Sequence, residues 1–298
     1  MAADDETTLE DFLALSDADN GKRKLVARLR TEIQALKIQL AQHGAVTHPT
    51  PQTHLIIGDS HSDPAVPNDR FDWLGKLIAD VRPDVVVDIG DQADMGSLSH
   101  YDEGKRSSEG RRYQKDINHS IDARERINHQ LRGLAKRPRR IVTLGNHEYR
   151  IVKATDNDPK LDGFMSTSDL RVEELGWEQF DFGVPAFVDG IGYCHYFPSG
   201  INGRPVGGMH LASALIRLGL MSGVQGHSHT FDYAERTRSD GMKVLGMSVG
   251  CYFDHFMEWA GASNSIYWRG IVVLRDIVDG YGQVEKISID SIRREYGP

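Results

Sequence analysis

The chain has 298 residues, 39% hydrophobic and 26% charged, which excludes a disordered polypeptide and predicts one large domain with an appendage, or two domains. Its net charge of -8 argues on average against a polyanion-binding protein. No run approaches the roughly 18 to 20 apolar residues of a membrane span, and the acidic start MAADDETTLEDF is unlike a secretory signal, so a soluble cytoplasmic protein with no membrane contact is expected.

Residues 1–50 are predicted to be an extension, and 51–298 the main domain. The first twenty or so lack periodicity. Val26, Leu29, Ile33, Leu36 and Leu40 then recur at spacings of three and four, the a/d seam of a short coiled coil. Glu32 at g and Lys37 at the following e suit a parallel pair. Residues 22–42 are therefore expected to form a helix that either makes a homodimer or packs on its own domain. Gly44 and the run HPTPQTH (48–54) read as a helix stop and a linker.

Beyond the linker, apolar β-type runs end in polar clusters, and helical patterns lie between them. HLIIGDSH (54–61) is a strand running into a loop, FDWLGKLIADV (71–81) an amphipathic helix and DVVVDIGD (84–91) a buried strand. Ile117, Ile121, Ile127, Leu131 and Leu134 recur at near-helical spacing, and IVTLGNHE (141–148) repeats the strand-into-loop form. FVDGIGYCHYF (187–197) predicts a hairpin about Asp189-Gly190, and ASALIRLGL (212–220) a helix. GVQGHSH (223–229) gives another strand into a loop, and MKVLGMSVG, YWRGIVVLRDI and VEKISID supply two or three closing strands. The alternation is βαβ logic.

The chemistry collects at those strand ends. Two cysteines, Cys194 and Cys251, make neither a disulfide framework nor a thiolate cluster, so any metal must be held by His, Asp and Asn. Asp59 and His61, two apart on an extended chain, point to one side and can share an ion, and the same geometry is expected for His227 and His229. Asp91 has two oxygens with which to bridge two ions. In Asn146-His147, adjacent side chains project oppositely, so Asn146 can bind metal while His147 faces substrate as a proton donor. Asp94 is the candidate for orienting His147.

In order, D59-S-H61, G90-D-Q-A-D94, G145-N-H-E148, an isolated His195 and G226-H-S-H229 resemble the motifs of the calcineurin-like metallophosphoesterase superfamily, over about residues 52–275. The resemblance implies a four-layer αββα fold: an α/β architecture in which a β-sandwich of two mixed sheets is flanked by helices. It puts Asp59, His61 and His229 on a first divalent metal, and Asn146, His195 and His227 on a second. Asp91 bridges the two, and His147 is the catalytic histidine. One departure concerns His195, which the family usually follows with glycine but which here precedes Tyr196, so His210 is held as the alternative ligand. With oxygen and nitrogen donors and no thiolate, Mn²⁺ is the first choice of metal, ahead of Zn²⁺, Fe²⁺, Ni²⁺ or Mg²⁺.

The substrate is read from one asymmetry. Residues 104–140 hold twelve Lys/Arg against four acids, a charge of +8. Arg111, Arg112 and Lys115 are placed to meet a phosphate backbone, with Tyr113 available to stack on a base. The expected reaction is hydroxide attack on a phosphodiester, with DNA as substrate and an endonuclease or 3′-phosphodiesterase as the outcome. A phosphomonoesterase of nucleotides or phosphoproteins, and a non-catalytic phosphate- or DNA-binding module, are the alternatives. The run after the second motif and Trp268-Arg-Gly270 are similar to phage and bacterial relatives of the double-strand-break-repair nucleases, which would place the protein in a host cytoplasm if phage-encoded. Only 69 residues follow His229, too few for the separate DNA-capping domain of those nucleases.

Overall fold

The computed structural model describes Arg28, Leu29, Glu32 and residues 50–298. The chain divides between Gly44 and Ala45, and residues 50–298 belong to the second unit. The predicted coiled-coil helix at 22–42 falls almost wholly outside the described residues.

Six strands form the first sheet. β1 (Gln52–Ile57), β2 (Val85–Asp88), β3 (Arg139–Thr143) and β4 (Glu178–Phe180) run parallel side by side. β12 (Gly270–Val278) lies antiparallel to β1, and β13 (Tyr281–Ser288) antiparallel to β12, giving the order β13-β12-β1-β2-β3-β4. The second sheet orders β10 (Phe231–Thr237), β11 (Lys243–Val249), β9 (Ser222–Gln225), β6 (Ile191–Cys194) and β5 (Ala186–Val188). Its three inner strands are parallel and its edges antiparallel, so both sheets are mixed. A two-stranded ribbon, β7 (Pro198–Ser199) with β8 (Arg204–Pro205), stands apart.

Alternation along β1 builds two cores at once. Leu55 and Ile57 join a helix-side cluster with Phe71, Leu74 and Ile78 of α1 (Asp69–Val81) and Ile117 and Ile127 of α2 (Tyr113–Gln130). Ile56 faces the other way, into the layer between the sheets, with Val87, Tyr193, Val224, Met247 and Val272. On the far side, α4 (Leu211–Gly219) lies so close to the second sheet that a Cβ on Gly246 would strike the Ala212 carbonyl. Helix, sheet, sheet and helix thus form the expected four layers. Of two further helices, α3 (Tyr149–Asn157) follows the loop after β3, and α5 (Ile289–Tyr296) continues directly from β13. Among the described residues no helix is long and apolar enough to cross a membrane.

A buried polar clasp ties the sheets together. His54 of β1 places Nδ1 2.6 Å from the Tyr193 hydroxyl on β6, and Nε2 2.8 Å from Asp189 Oδ2 in the β5–β6 turn. That turn is the predicted hairpin, with Asp189 at φ 49° and Gly190 at φ 80°.

Part of the basic segment proves structural. Arg124 on α2 is buried, with Nη2 3.2 Å from Asp88 Oδ2 at the end of β2, and its guanidinium lies 4.9 Å from the Trp177 ring. Arg126 pairs with Asp72 and Asp122, Lys136 with Asp84, and Arg139 with Glu178. Much of the +8 is therefore spent on acids of neighbouring elements. Arg112 and Lys115 remain exposed.

Candidate metal centre

The loops after β1, β2, β3, β6 and β9 meet at one end of the sandwich. Three groups of possible metal donors lie there, each with its atoms within 4.8 Å of one another: Asp59, His61 and His229; Asp91, His195 and His227; and His61, Asp94 and His147. Asn146 joins the second group through Oδ1, 2.9 Å from His195 Nε2. All seven residues predicted for the cage are thus brought together. His210 is exposed, at the N-terminus of α4.

The backbone reaches this arrangement differently from the extended-chain expectation. His61, Asp91, His227 and His229 all have positive φ, at 40°, 52°, 66° and 57°. His227 and His229 consequently diverge rather than share one group: His227 Nδ1 lies 3.2 Å from His195 Nε2, whereas His229 Nε2 lies 3.2 Å from His61 Nε2. Likewise Asn146 and His147 separate on a turn that leads into α3, not on an extended segment. Two motif glycines are required by contact. A side chain on Gly145 would overlap Asp91 Oδ1, and one on Gly226 would overlap Asp59 Oδ1.

Glu148, to which the sequence reading gave no role, staples the loops. Its Oε2 accepts the main-chain N–H groups of Asp91 and Gly145 at 2.9 and 2.8 Å, and its Oε1 that of Ala93 at 2.8 Å. Asp94 meets His147, as expected, though most closely through its main-chain carbonyl, and it also meets His61. Its Oδ1 accepts from His61 Nδ1 at 3.0 Å, while His147 Nδ1 donates to its main-chain carbonyl at 2.7 Å and lies 3.5 Å from the carboxylate. Asp94 thereby orients two imidazoles. Arg150, also missed, places Nη2 3.1 Å from His147 Nε2. No motif spacing signals it, since it enters from the first turn of α3.

The donor set fits cations. Burial opposes ionisation of Asp94, but the adjacent imidazoles of His147 and His61 outweigh it and hold the carboxyl well below its ordinary range. An ionised Asp94 only accepts, so His61 carries its proton on Nδ1. Burial lowers the His61 pKa to about 4, which leaves Nε2 as a lone pair aimed at His229 Nε2. Asp59 Oδ2 is buried 3.0 Å from that same nitrogen, yet makes no hydrogen bond. One ion at the centre of these three donors satisfies all of them.

The second group behaves similarly. His195 Nδ1 donates to the Ile89 carbonyl at 2.9 Å, so Nε2 faces Asn146, His227 and, at 3.4 Å, Asp91 Oδ2. Burial would lower the His195 pKa, but Asp91 and Asp59 raise it. His147 is pushed up to about 9: burial is outweighed by Asp91 and Asp94, with Arg150 opposing them. The centre draws positive charge.

Of the predicted substrate residues, Arg111 reaches the site mouth, with Nη2 3.2 Å from Asp63 Oδ2 and Nη1 3.6 Å from Asp94 Oδ2. Arg112 and Lys115 lie farther along the exposed flank. Tyr113, expected to be free for stacking, instead donates its hydroxyl to Asp169 Oδ2 at 2.6 Å and packs on the helix-side core.

Five strand-end loops thus converge on paired Asp/His groups able to hold metal ions. The family model of the calcineurin-like phosphoesterases matches residues 53–231, more than half of the chain, and the chain belongs to that family. No curated protein sequence matches it. Among solved structures 28 chains match, one of them at 12% identity over 80% of this chain and 100% of its own, with a TM-score of 0.34.

Proposed function

We propose that the protein hydrolyses phosphodiester bonds of DNA, as an endonuclease or 3′-phosphodiesterase. Two divalent cations, Mn²⁺ foremost, would be held by Asp59, His61 and His229 on one side and by Asn146, His195 and His227 on the other, with Asp91 available to both. Bound there, such a pair supplies Lewis acidity toward phosphoryl oxygens and a hydroxide nucleophile at neutral pH.

The chain's own residues do the rest. Glu148 keeps the Asp91 and Asn146 loops in register, and Asp94 fixes the rings of His61 and His147. His147 gives its proton to the leaving oxygen. The preference for a diester of nucleic acid rests on Arg111, which the basic segment delivers to within 3.6 Å of the Asp94 carboxylate, where a guanidinium can engage a phosphate adjoining the scissile one. Exposed Arg112 and Lys115 extend that positive flank.

Hydrolysis of bis-p-nitrophenyl phosphate and of p-nitrophenyl phosphate, each in Mn²⁺, tests the proposal. A diesterase turns over the first with the higher kcat/KM and nicks or trims DNA in the same buffer. A strong preference for the second overturns the diester reading and indicates a monoesterase.

A further inference from the structure

Aromatic rings pack against both sides of the metal centre. On the His61/His229 side, Phe253 is fully buried against both imidazoles, with ring centroids 5.3 Å from His61 and 5.4 Å from His229, and half-buried Tyr267 lies 4.7 Å from His229. On the His195/His227 side, Tyr149, Phe182 and Tyr196 are only half-buried. Tyr149 and Phe182 stack at 4.8 Å with 26° between planes, and Tyr196 meets Phe182 edge-on at 5.3 Å. The Tyr196 ring also lies 5.0 Å from that of His227 and 5.8 Å from that of His195.

These rings come from three separate segments: the start of α3, the turn after β4 and the residue following His195. The structural tyrosines have their hydroxyls tied down: Tyr193 to His54 at 2.6 Å, Tyr252 to the Arg70 carbonyl at 2.8 Å and Tyr113 to Asp169. No such bond holds the hydroxyl of Tyr149 or Tyr196 among the described residues. Lys153 adds a cation 5.6 Å from the Tyr149 ring. Half-buried π-faces with loose polar tips and a nearby ammonium, beside the reacting centre, are what a planar group attached to a phosphate needs.

We propose that Tyr149, Phe182 and Tyr196 form a stacking subsite for a nucleobase carried on the ester group next to the scissile phosphate. The subsite rests on the metal centre as placed above and deepens that reading by naming the group recognised beside the phosphate. Tyr196 is its key member, standing directly after His195 where the resemblance leads to glycine. Every base has a π-face, so the subsite selects for the presence of a base over its identity.

The test uses the full chain in Mn²⁺ with two pairs of esters. One pair is thymidylyl-thymidine and the same dinucleotide without bases; the other is thymidine 5′-monophosphate and 2-deoxyribose 5-phosphate. For the pair that is hydrolysed faster, kcat/KM with the base is expected to exceed kcat/KM without it by about fivefold or more. Tyr196→Leu and Tyr149→Leu are each expected to reduce that ratio severalfold, and Tyr196→Phe to preserve it. Because each ratio is taken on one enzyme, partial misfolding cancels. A wild-type ratio near unity, a ratio that neither leucine variant moves, or hydrolysis of neither pair overturns the subsite. Faster hydrolysis of the monoester pair defeats the diester reading alone.

Discussion

Asp94 Oδ1 lies 3.0 Å from His61 Nδ1, and the main-chain carbonyl of the same aspartate takes the Nδ1 proton of His147 at 2.7 Å. The carboxylate therefore orients His61 and lies 3.5 Å from His147 Nδ1, whose ring is held in addition by the main-chain carbonyl. Asp94→Ala is expected to raise the Mn²⁺ concentration for half-maximal hydrolysis by about 10- to 100-fold, the usual cost of losing a partner that orients a metal-binding histidine. A metal titration of activity measures it. An unmoved midpoint would mean that His61 does not hold metal.

Arg124 and Asp88 are 3% and 2% exposed, so their ion pair is a structural feature of the helix–sheet interface and not part of a nucleic-acid surface. Arg124→Ala leaves a buried carboxylate uncompensated and should cost about 3–5 kcal/mol of stability, read as a large fall in Tm. Arg112→Ala and Lys115→Ala, on the exposed flank, should change stability by no more than about 0.5 kcal/mol. If DNA is the substrate, each should also lower the salt slope of its binding by about one. Equal effects of the three substitutions on Tm would refute the division.

The clasp between the sheets predicts an acid limb. Burial lowers the His54 pKa below its ordinary 6.5, although Asp189 opposes the shift. The ring is neutral when folded, accepting from Tyr193 and donating to Asp189. An unfolded chain takes up a proton here below about pH 6.5 and the folded chain does not, so this contribution to stability is complete above pH 6.5 and declines as pH falls. Its limiting slope is about 1.4 kcal/mol per pH unit. His54→Asn, compared with wild type by denaturant unfolding at pH 5 and pH 7, should be less stable at pH 7 and should lose less on acidification. A variant that loses as much as wild type would contradict a neutral His54.

The sequence revealed the centre because each donor follows an apolar run: Leu55-Ile56-Ile57 before Asp59, Val85-Val86-Val87 before Asp91, Ile141-Val142 before Asn146. Burial of those strands is what carries the donors to one end of the sandwich. Glu148 escaped notice because its partners are main-chain N–H groups, which have no side-chain signature. Arg124 looked like solvent-facing charge because its helix, YQKDINHSIDARERINHQ, is polar almost throughout. β10 was not anticipated because FDYAERT is an edge strand whose outer half is exposed. The positive φ values at His61, Asp91, His227 and His229 are imposed by the converging loops; Asp and His enter this region more readily than most residues, but too seldom for residue type alone to announce it.

Phosphoester hydrolysis is proposed to depend on two divalent cations held by the paired Asp/His groups. The most direct measurement is the Mn²⁺ bound per chain after equilibrium dialysis, determined by elemental analysis alongside hydrolysis of bis-p-nitrophenyl phosphate. Two ions per chain are expected, with activity abolished by EDTA and restored by Mn²⁺, and with Asp91→Ala losing activity and at least one ion while its circular dichroism stays native. A chain that binds no divalent cation, or hydrolysis that survives EDTA, would contradict the claim.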